Sequence, residues 1–307
     1  MTLSILSISG SKYKLDLSIF DISIKIFYGL KLDGVSGMKE LPDLSQPLWF
    51  FITALVVFAV VIGRYLLIAG LFYAVFYLWF PKKWKQRKIN QKDYKEGQFR
   101  KEVKWSMVTA GIFAVSGALT VLLWQQGLTK VYLGTNEYPM WWMPVSLLIA
   151  LFVHETYYYW LHRWMHHPKI FRIVHKVHHD SNITSPWTAF SFHPLEGVLQ
   201  AVFLPVLIMV LPMHLYVIII HLTIMTFSSV INHLDIEVYP KGFHKHLMGK
   251  WFIGATHHSL HHKQFKYNYG LYFTFWDKWR KTESPLYDQL FEEKTAKNAN
   301  EIKTAAF

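Results

Sequence analysis

Leu48–Phe80 reads LWFFITALVVFAVVIGRYLLIAGLFYAVFYLWF, a run with one charge, Arg64, bounded by Pro47 and Pro81. A helix needs about 20 apolar residues to cross the hydrocarbon of a bilayer, and this run exceeds that. It places the chain in the membrane. Arg64 reads either as a side chain that snorkels or faces neighbouring helices, or as one lining a lipid cleft. A second span is expected over about Trp105–Trp124. A third begins near Tyr138 and continues through Leu151, bracketed by Trp141, Trp142 and Tyr157 to Trp160 as interfacial aromatics. A further apolar region, Gly197–Ile231, is broken by Pro205 and by Pro212-Met213-His214, which suits a tight helical pair.

Composition agrees. Of 307 residues, 52% are hydrophobic and only 17% charged, where a soluble domain carries about 25%. There is no cysteine, which excludes disulfides, thiolate zinc sites, iron–sulfur clusters and a cysteine nucleophile. The formal charge of +12 is concentrated beside apolar spans, which suits membrane orientation and anionic lipid. No nucleic-acid recognition module is visible, so no nucleic-acid partner is expected. Between the first two spans, residues 81–104 hold ten Lys or Arg against three acids, whereas 125–138 hold a single lysine. The positive-inside rule puts the former in the cytosol and the latter outside. The third span then returns the chain to the cytosol.

Three segments are expected: an N-terminal interfacial segment at 1–46, with a helix over Leu17–Leu32; a membrane domain at 47–285; and a polar C-terminal tail at 286–307. Lys12 and Lys14 interrupt any apolar run near the start, so a cleaved signal peptide is not expected.

All seventeen histidines lie between His154 and His262. They group at helical spacing: His162 and His166; His175, His178 and His179; His258, His261 and His262. Residues three and four apart share a helix face, so each group aims several imidazoles at one place. Imidazole suits zinc, copper, iron and nickel. Eight nitrogens are more than one metal uses, so two metals fit better, and His233 can add a ninth donor from the end of the hairpin. Acids are few near these groups, unlike a carboxylate-bridged di-iron bundle, so a nearly all-histidine pair of irons is implied. His175 and His258 can meet only if the region between them crosses the membrane an even number of times, which selects the hairpin.

Other histidines read differently. His214 and His221 are read as core or interface residues, and His193 and His257 as partners behind the ligands. Glu155 and Asp180 are candidates to accept hydrogen bonds from ligand imidazoles; the alternative for each is an ordinary ion pair. Hydrolytic motifs fail. His154-Glu155 starts like HExxH, but position 158 is tyrosine, and neither a GxSxG elbow nor a P-loop is present.

The motifs resemble the fatty acid hydroxylase / sterol desaturase superfamily, and most closely its sterol C5-desaturases. Tyr159-Trp160-Leu161-His162-Arg163 with His166-His167-Pro168 resembles the first histidine box, and His175-Lys176-Val177-His178-His179 the second. Phe192-His193-Pro194-Leu195-Glu196-Gly197 resembles the FHP segment. Thr256-His257-His258-Ser259-Leu260-His261-His262, with Tyr267-Asn268-Tyr269-Gly270 and Phe273-Thr274-Phe275-Trp276-Asp277, resembles the third box and the signature after it. The likeness covers roughly residues 102–281.

The resemblance implies an all-α fold: an integral membrane bundle of about four to five helices with a cytosolic, histidine-lined di-metal helical cap. It implies an O2-dependent non-haem di-iron oxidoreductase that desaturates a lipid. The alternative within the family is hydroxylation of a fatty acyl chain, a sphingoid base or a carotenoid-like substrate. The expected ligands are His162, His166, His175, His178, His179, His233, His258, His261 and His262, with no separate acid or base. Electrons are expected from an external donor, cytochrome b5 or ferredoxin in type, for which residues 82–104 offer a basic docking face; positive-inside topology explains the same charges. The membrane is a bacterial inner membrane or the endoplasmic reticulum. A reading from another class is a histidine-rich metal-handling membrane protein. It predicts polar residues spread through the depth of the spans, whereas the groups sit at one edge.

Overall fold

Pro47 opens the first long helix; at that position a proline forfeits no intrahelical hydrogen bond and its φ is already helical. In the computed structural model, which describes residues 42–296, helix α1 spans Pro47–Tyr73 and runs on as a wider π-helical stretch over Ala74–Trp79. Residues 44–296 belong to one compact unit. The helix expected at 17–32 lies outside the described residues.

Helix α2, Gln98–Gln125, starts after Gly97, whose φ of 71° a side chain would disfavour. It packs on α1 through small residues. Ala110, Ala114 and Ala118 recur every fourth position and are buried, Ala110 against the α1 ridge of Val61, Tyr65, Ile68 and Ala69. At Gly117 an added Cβ would sit 2.7 Å from Cγ1 of Val57. Lipid is as apolar as leucine, so packing rather than the hydrophobic effect holds such helices together, and close backbone approach is what small residues supply. The outward faces leave Leu55, Leu67, Leu71 and Val115 about half exposed or more. In water that surface would mark a contact patch; against lipid it is the outer wall.

Helix α3 spans Trp142–Met165. Two short helices, α4 at Pro168–Val174 and α5 at Lys176–His179, follow it. The apolar pair forms as α6, Pro194–Ala201, with α7, Phe203–Val210, and then α8, Leu215–Asn232. Its tip meets the α2–α3 connection: strand β1, Val131–Tyr132, pairs in parallel with β2, Met213–His214. There the Lys130 amide donates to the Ile208 carbonyl at 2.7 Å, and the Trp142 indole to the Pro212 carbonyl at 2.9 Å. The tip of the pair and the start of α3 therefore share one end of the bundle. The C-terminal ends of α3 and α8 share the other, so the histidines they carry are on one side, as the hairpin demands.

Among the described residues three helices are long and apolar enough to cross a membrane: α1 with its extension, α2 and α8. The expected third span and the first arm of the expected pair differ in kind. Helix α3 forms over its expected course but carries His154, Glu155 and His162. The α6–α7 arm changes helix at Val202 and forms only a shorter apolar helix pair.

Beyond α8 the chain forms a cap. Helix α9, Ala255–Gln264, carries the third histidine group; α10, Phe275–Trp279, carries the Trp-Asp element; and α11 is Tyr287–Thr295. Within the segment read as a polar tail, α11 buries Tyr287 and Phe291 beside Leu260 of α9.

Candidate metal centre

The nine histidines singled out by spacing fall into two clusters. One joins His162, His166, His175, His179 and His261; the other joins His178, His233, His258 and His262. Within each, one ring nitrogen per residue lies within 4.8 Å of every other. Helix geometry explains the sorting. In each HxxHH motif the residues four apart point together and the one between them points away. His175 and His179 thus serve the five-histidine cluster while His178 serves the other. The third motif is reversed: His258 and His262 serve the four-histidine cluster and His261 the first. The clusters are adjacent, with the His179 and His262 ring centres 4.4 Å apart.

Local sequence sets these positions. Helix α3 ends at Met165, so His162 sits in its last turn and His166 just past it. Pro168 then starts α4 and turns the chain so that α5 faces back toward α3. His233 caps the end of α8, and its own Nδ1 lies 2.7 Å from the Ser229 carbonyl.

Backbone carbonyls decide which nitrogen faces inward. A carbonyl only accepts, so a ring nitrogen against one carries the proton and the opposite nitrogen is a bare lone pair. Nδ1 of His162 lies 2.8 Å from the Tyr269 carbonyl, that of His261 2.7 Å from Tyr267, and that of His178 3.3 Å from Ser191. Their Nε2 atoms converge. His178 and His233 both spend their N–H on carbonyls, yet their Nε2 atoms are 3.2 Å apart; Nε2 of His162 is 3.0 Å from that of His175. In the His178–His233 pair lone pairs face one another, an arrangement that a cation between them stabilises. Metal–imidazole bonds of about 2.0–2.1 Å put neighbouring donors about 3 Å apart, which is the spacing seen. Burial, reinforced by the neighbouring imidazoles, holds His178, His179, His258, His261 and His262 well below the ordinary histidine range. They are neutral, the form that ligates.

The acids behind the ligands differ from those expected. Asp180 pairs with Lys101 at 2.7 Å and Lys176 at 2.8 Å on the surface. Glu155 accepts backbone N–H groups from Leu271, Tyr272 and Phe273, the Tyr272 bond being 2.6 Å. Neither meets a clustered imidazole; the Glu155 carboxylate is taken up by the 271–273 amides and that of Asp180 by the two lysines. The carboxylate that does is Glu196. Its Oε2 lies 2.9 Å from Nδ1 of His175, both side chains fully enclosed, although the approach is too oblique for a regular hydrogen bond. The FHPLEG segment contained this residue, but sequence alone showed nothing to pair it with His175.

The signature after the third box is a brace. Asp277 accepts the amides of Tyr269 and Gly270 at 2.9 and 3.0 Å. Asn268, at φ 61°, donates to the His257 carbonyl at 2.7 Å and accepts from the Ser284 amide. At Gly270 a Cβ would be 2.6 Å from the Phe273 carbonyl oxygen, so no side chain fits. The loop's rigidity matters because the Tyr267 and Tyr269 carbonyls orient His261 and His162. Glu102 does the same for the segment after the second box. It is buried and accepts from Gln98, Ser181, Ser185 and Thr188 at 2.6 to 3.0 Å.

The remaining histidines stay outside both clusters. His193 and His214 cap helices, accepting the amides of Leu195 and Tyr216. His221 meets His154 at 3.1 Å. His257 is buried 4.0 Å from Glu283. Arg64 is half-buried, and its Nε has no hydrogen-bond partner among the described residues.

Residues 147–282, which hold all nine clustered histidines, match the family model described as fatty acid hydroxylase. Human lathosterol oxidase is 32% identical over 189 residues, covering 60% of each chain. A Delta(7)-sterol 5(6)-desaturase of Gibberella zeae is 32% identical over 164 residues, covering 52% of this chain and 49% of its own. Another, of Eremothecium gossypii, is 27% identical over 222 residues, covering 70% and 61%. The chain thus spans about half to three fifths of the length of these relatives. No solved structure matches the chain.

Proposed function

We propose, from a chain whose residues 147–282 carry the fatty acid hydroxylase pattern, that this protein is an O2-dependent, di-iron membrane oxidoreductase that desaturates a lipid, as the names of its relatives indicate for sterols. The single observation that carries the reading is the convergence of nine imidazole nitrogens in two adjacent clusters, eight of the nine rings being buried. Five nitrogen donors in one of them exceed the four that zinc ordinarily takes, and imidazole suits iron. All nine clustered histidines are the proposed ligands.

Iron bound there would supply the reaction of O2 with an unactivated lipid C–H bond. The protein supplies the rest. The Tyr267, Tyr269, Ser191 and Ser229 carbonyls hold four imidazoles with their N–H groups outward. Glu196 favours an N–H on His175 and makes its opposite nitrogen the better donor. Burial of His178, His179 and the third box shields those imidazoles from water. The apolar faces of α1, α2 and α8 lead from the bilayer to that end of the bundle, which suits a substrate dissolved in the membrane. The basic segment 81–104 lies at the same end, where the Ile89 amide donates to the Asp235 carbonyl at 2.9 Å. This supports a cytosolic active site by the positive-inside rule.

Hydroxylation is the second reading, favoured by the family's own description. Metal analysis of the detergent-purified chain should find about two irons per protein. Lipids from a host expressing it should contain a species lacking two hydrogens; a species with one added oxygen would select hydroxylation. Zinc alone, with no lipid changed, would sink both and favour metal handling.

A further inference from the structure

Either outcome consumes electrons from outside. Desaturation removes two hydrogens from the lipid and reduces O2 to two waters. That takes four electrons and four protons, of which the lipid gives two of each. Hydroxylation inserts one oxygen, releases one water and has the same external need. The remaining electron pair must come from an outside donor, and because a metal pair takes electrons up singly, a one-electron carrier that comes close to the clusters suits it.

One ligand reaches the surface. Of the nine, eight are buried and His166 is only partly so. A groove of about 800 Å3 opens on it, with Phe171, Phe265 and Tyr269 as walls. The Phe171 ring centre is 5.4 Å from that of His166, and Phe265, 37% exposed, lies 4.8 Å from His179. Both phenylalanines thus bridge the surface to the five-histidine cluster. Phe265 is held at φ 64°, a strained setting for a bulky residue, and such strain collects at functional sites. The rim is Lys169, Arg172 and Lys266, all exposed and none in an ion pair among the described residues. No acid lines the groove among the described residues.

We propose that this groove, and not the basic segment 82–104, is where an acidic one-electron carrier protein docks and delivers electrons by way of His166. The proposal rests on the oxidoreductase reading for its purpose, but its geometry is testable alone. A basic rim around an aromatic floor suits a partner whose carboxylates surround an exposed redox group. Rim charges of this kind govern association rate and salt dependence. Lys101, within the rival segment, is already committed to Asp180.

Binding of the soluble haem domain of cytochrome b5, an acidic carrier, is measured first on the full chain in detergent, across ionic strength. Lys169→Glu with Arg172→Glu should weaken it roughly tenfold at low salt and flatten its salt dependence. Lys92→Glu with Lys95→Glu should leave it unchanged. Turnover is then compared with that domain and with durohydroquinone, a small neutral reductant. The Lys169/Arg172 double variant should raise KM for the haem domain alone. Binding that follows Lys92 and Lys95 overturns the proposal. So does a rise in lipid KM with unaltered haem-domain binding, which would make the groove a seat for an anionic headgroup. Absence of O2 uptake with both reductants in the unaltered protein, with haem-domain binding still lost in the Lys169/Arg172 variant, defeats the enzyme reading while the docking surface stands.

Discussion

At the scale of single residues, the clusters depend on groups that are not ligands. Among the described residues, His175 is the only member of the five-histidine cluster whose outer nitrogen faces a carboxylate, that of Glu196. Glu196→Gln keeps the shape and removes the charge. Partners of this kind are worth roughly 10–100-fold in metal affinity. We expect the variant to lose metal at a competing chelator concentration roughly tenfold lower or more, with about one metal per chain retained by the four-histidine cluster. Equal retention by variant and parent would remove Glu196 from the site. The clustered histidines were legible in the sequence because periodicity of three and four is local. The sorting of His178 from His179, and of His261 from His262, was not. It depends on how α5 and α9 are rotated about their axes, which is set by what they pack against.

At the scale of elements, α1 and α2 are held by closeness. Gly117 leaves no room beside Val57, whereas Gly111 on the same helix has nothing within 4 Å of where its Cβ would stand. Gly117→Leu should cost about 1–3 kcal/mol through overpacking. Gly111→Leu should be neutral or stabilising, since leucine is the better helix former by nearly 1 kcal/mol. Thermal unfolding in detergent separates them, and equal melting of the two would deny that this contact is tight. The same contact matters at the cap. The buried Glu102 of α2 grips the Ser181–Thr188 stretch, and the Tyr77 hydroxyl from the π-helical end of α1 donates to the Leu234 carbonyl beside His233. The apolar helices thus position the histidines as well as spanning lipid. Hydropathy predicted where α1, α2 and α8 lie. It could not predict that α3 would tolerate Glu155, because that acid's three backbone partners come from a loop more than a hundred residues away.

At the scale of the whole molecule, the hairpin α6–α8 brings the histidines to one side. The absence of cysteine makes this direct to test with single introduced thiols. Lys92→Cys and Lys169→Cys should react with a membrane-impermeant maleimide from the same side, and Asn136→Cys, on the exposed α2–α3 connection, from the other. Labelling of Lys92→Cys and Lys169→Cys from opposite faces would separate the basic segment from the clusters and end the proposed orientation.

Apolar length, charge bias and histidine spacing are properties of short stretches, so the sequence alone determined that the chain is membrane-embedded, that it gathers imidazoles, and which nine do so. It also required an even number of crossings between His175 and His258, since nitrogens divided by a bilayer cannot share an ion. Which imidazoles pair, which nitrogen each turns inward, which acid stands behind them and which clustered histidine meets the surface were decided only by the tertiary structure. Each of those depends on a carbonyl, a carboxylate or a ring brought in from a distant part of the chain, and no local pattern encodes where such a group will stop.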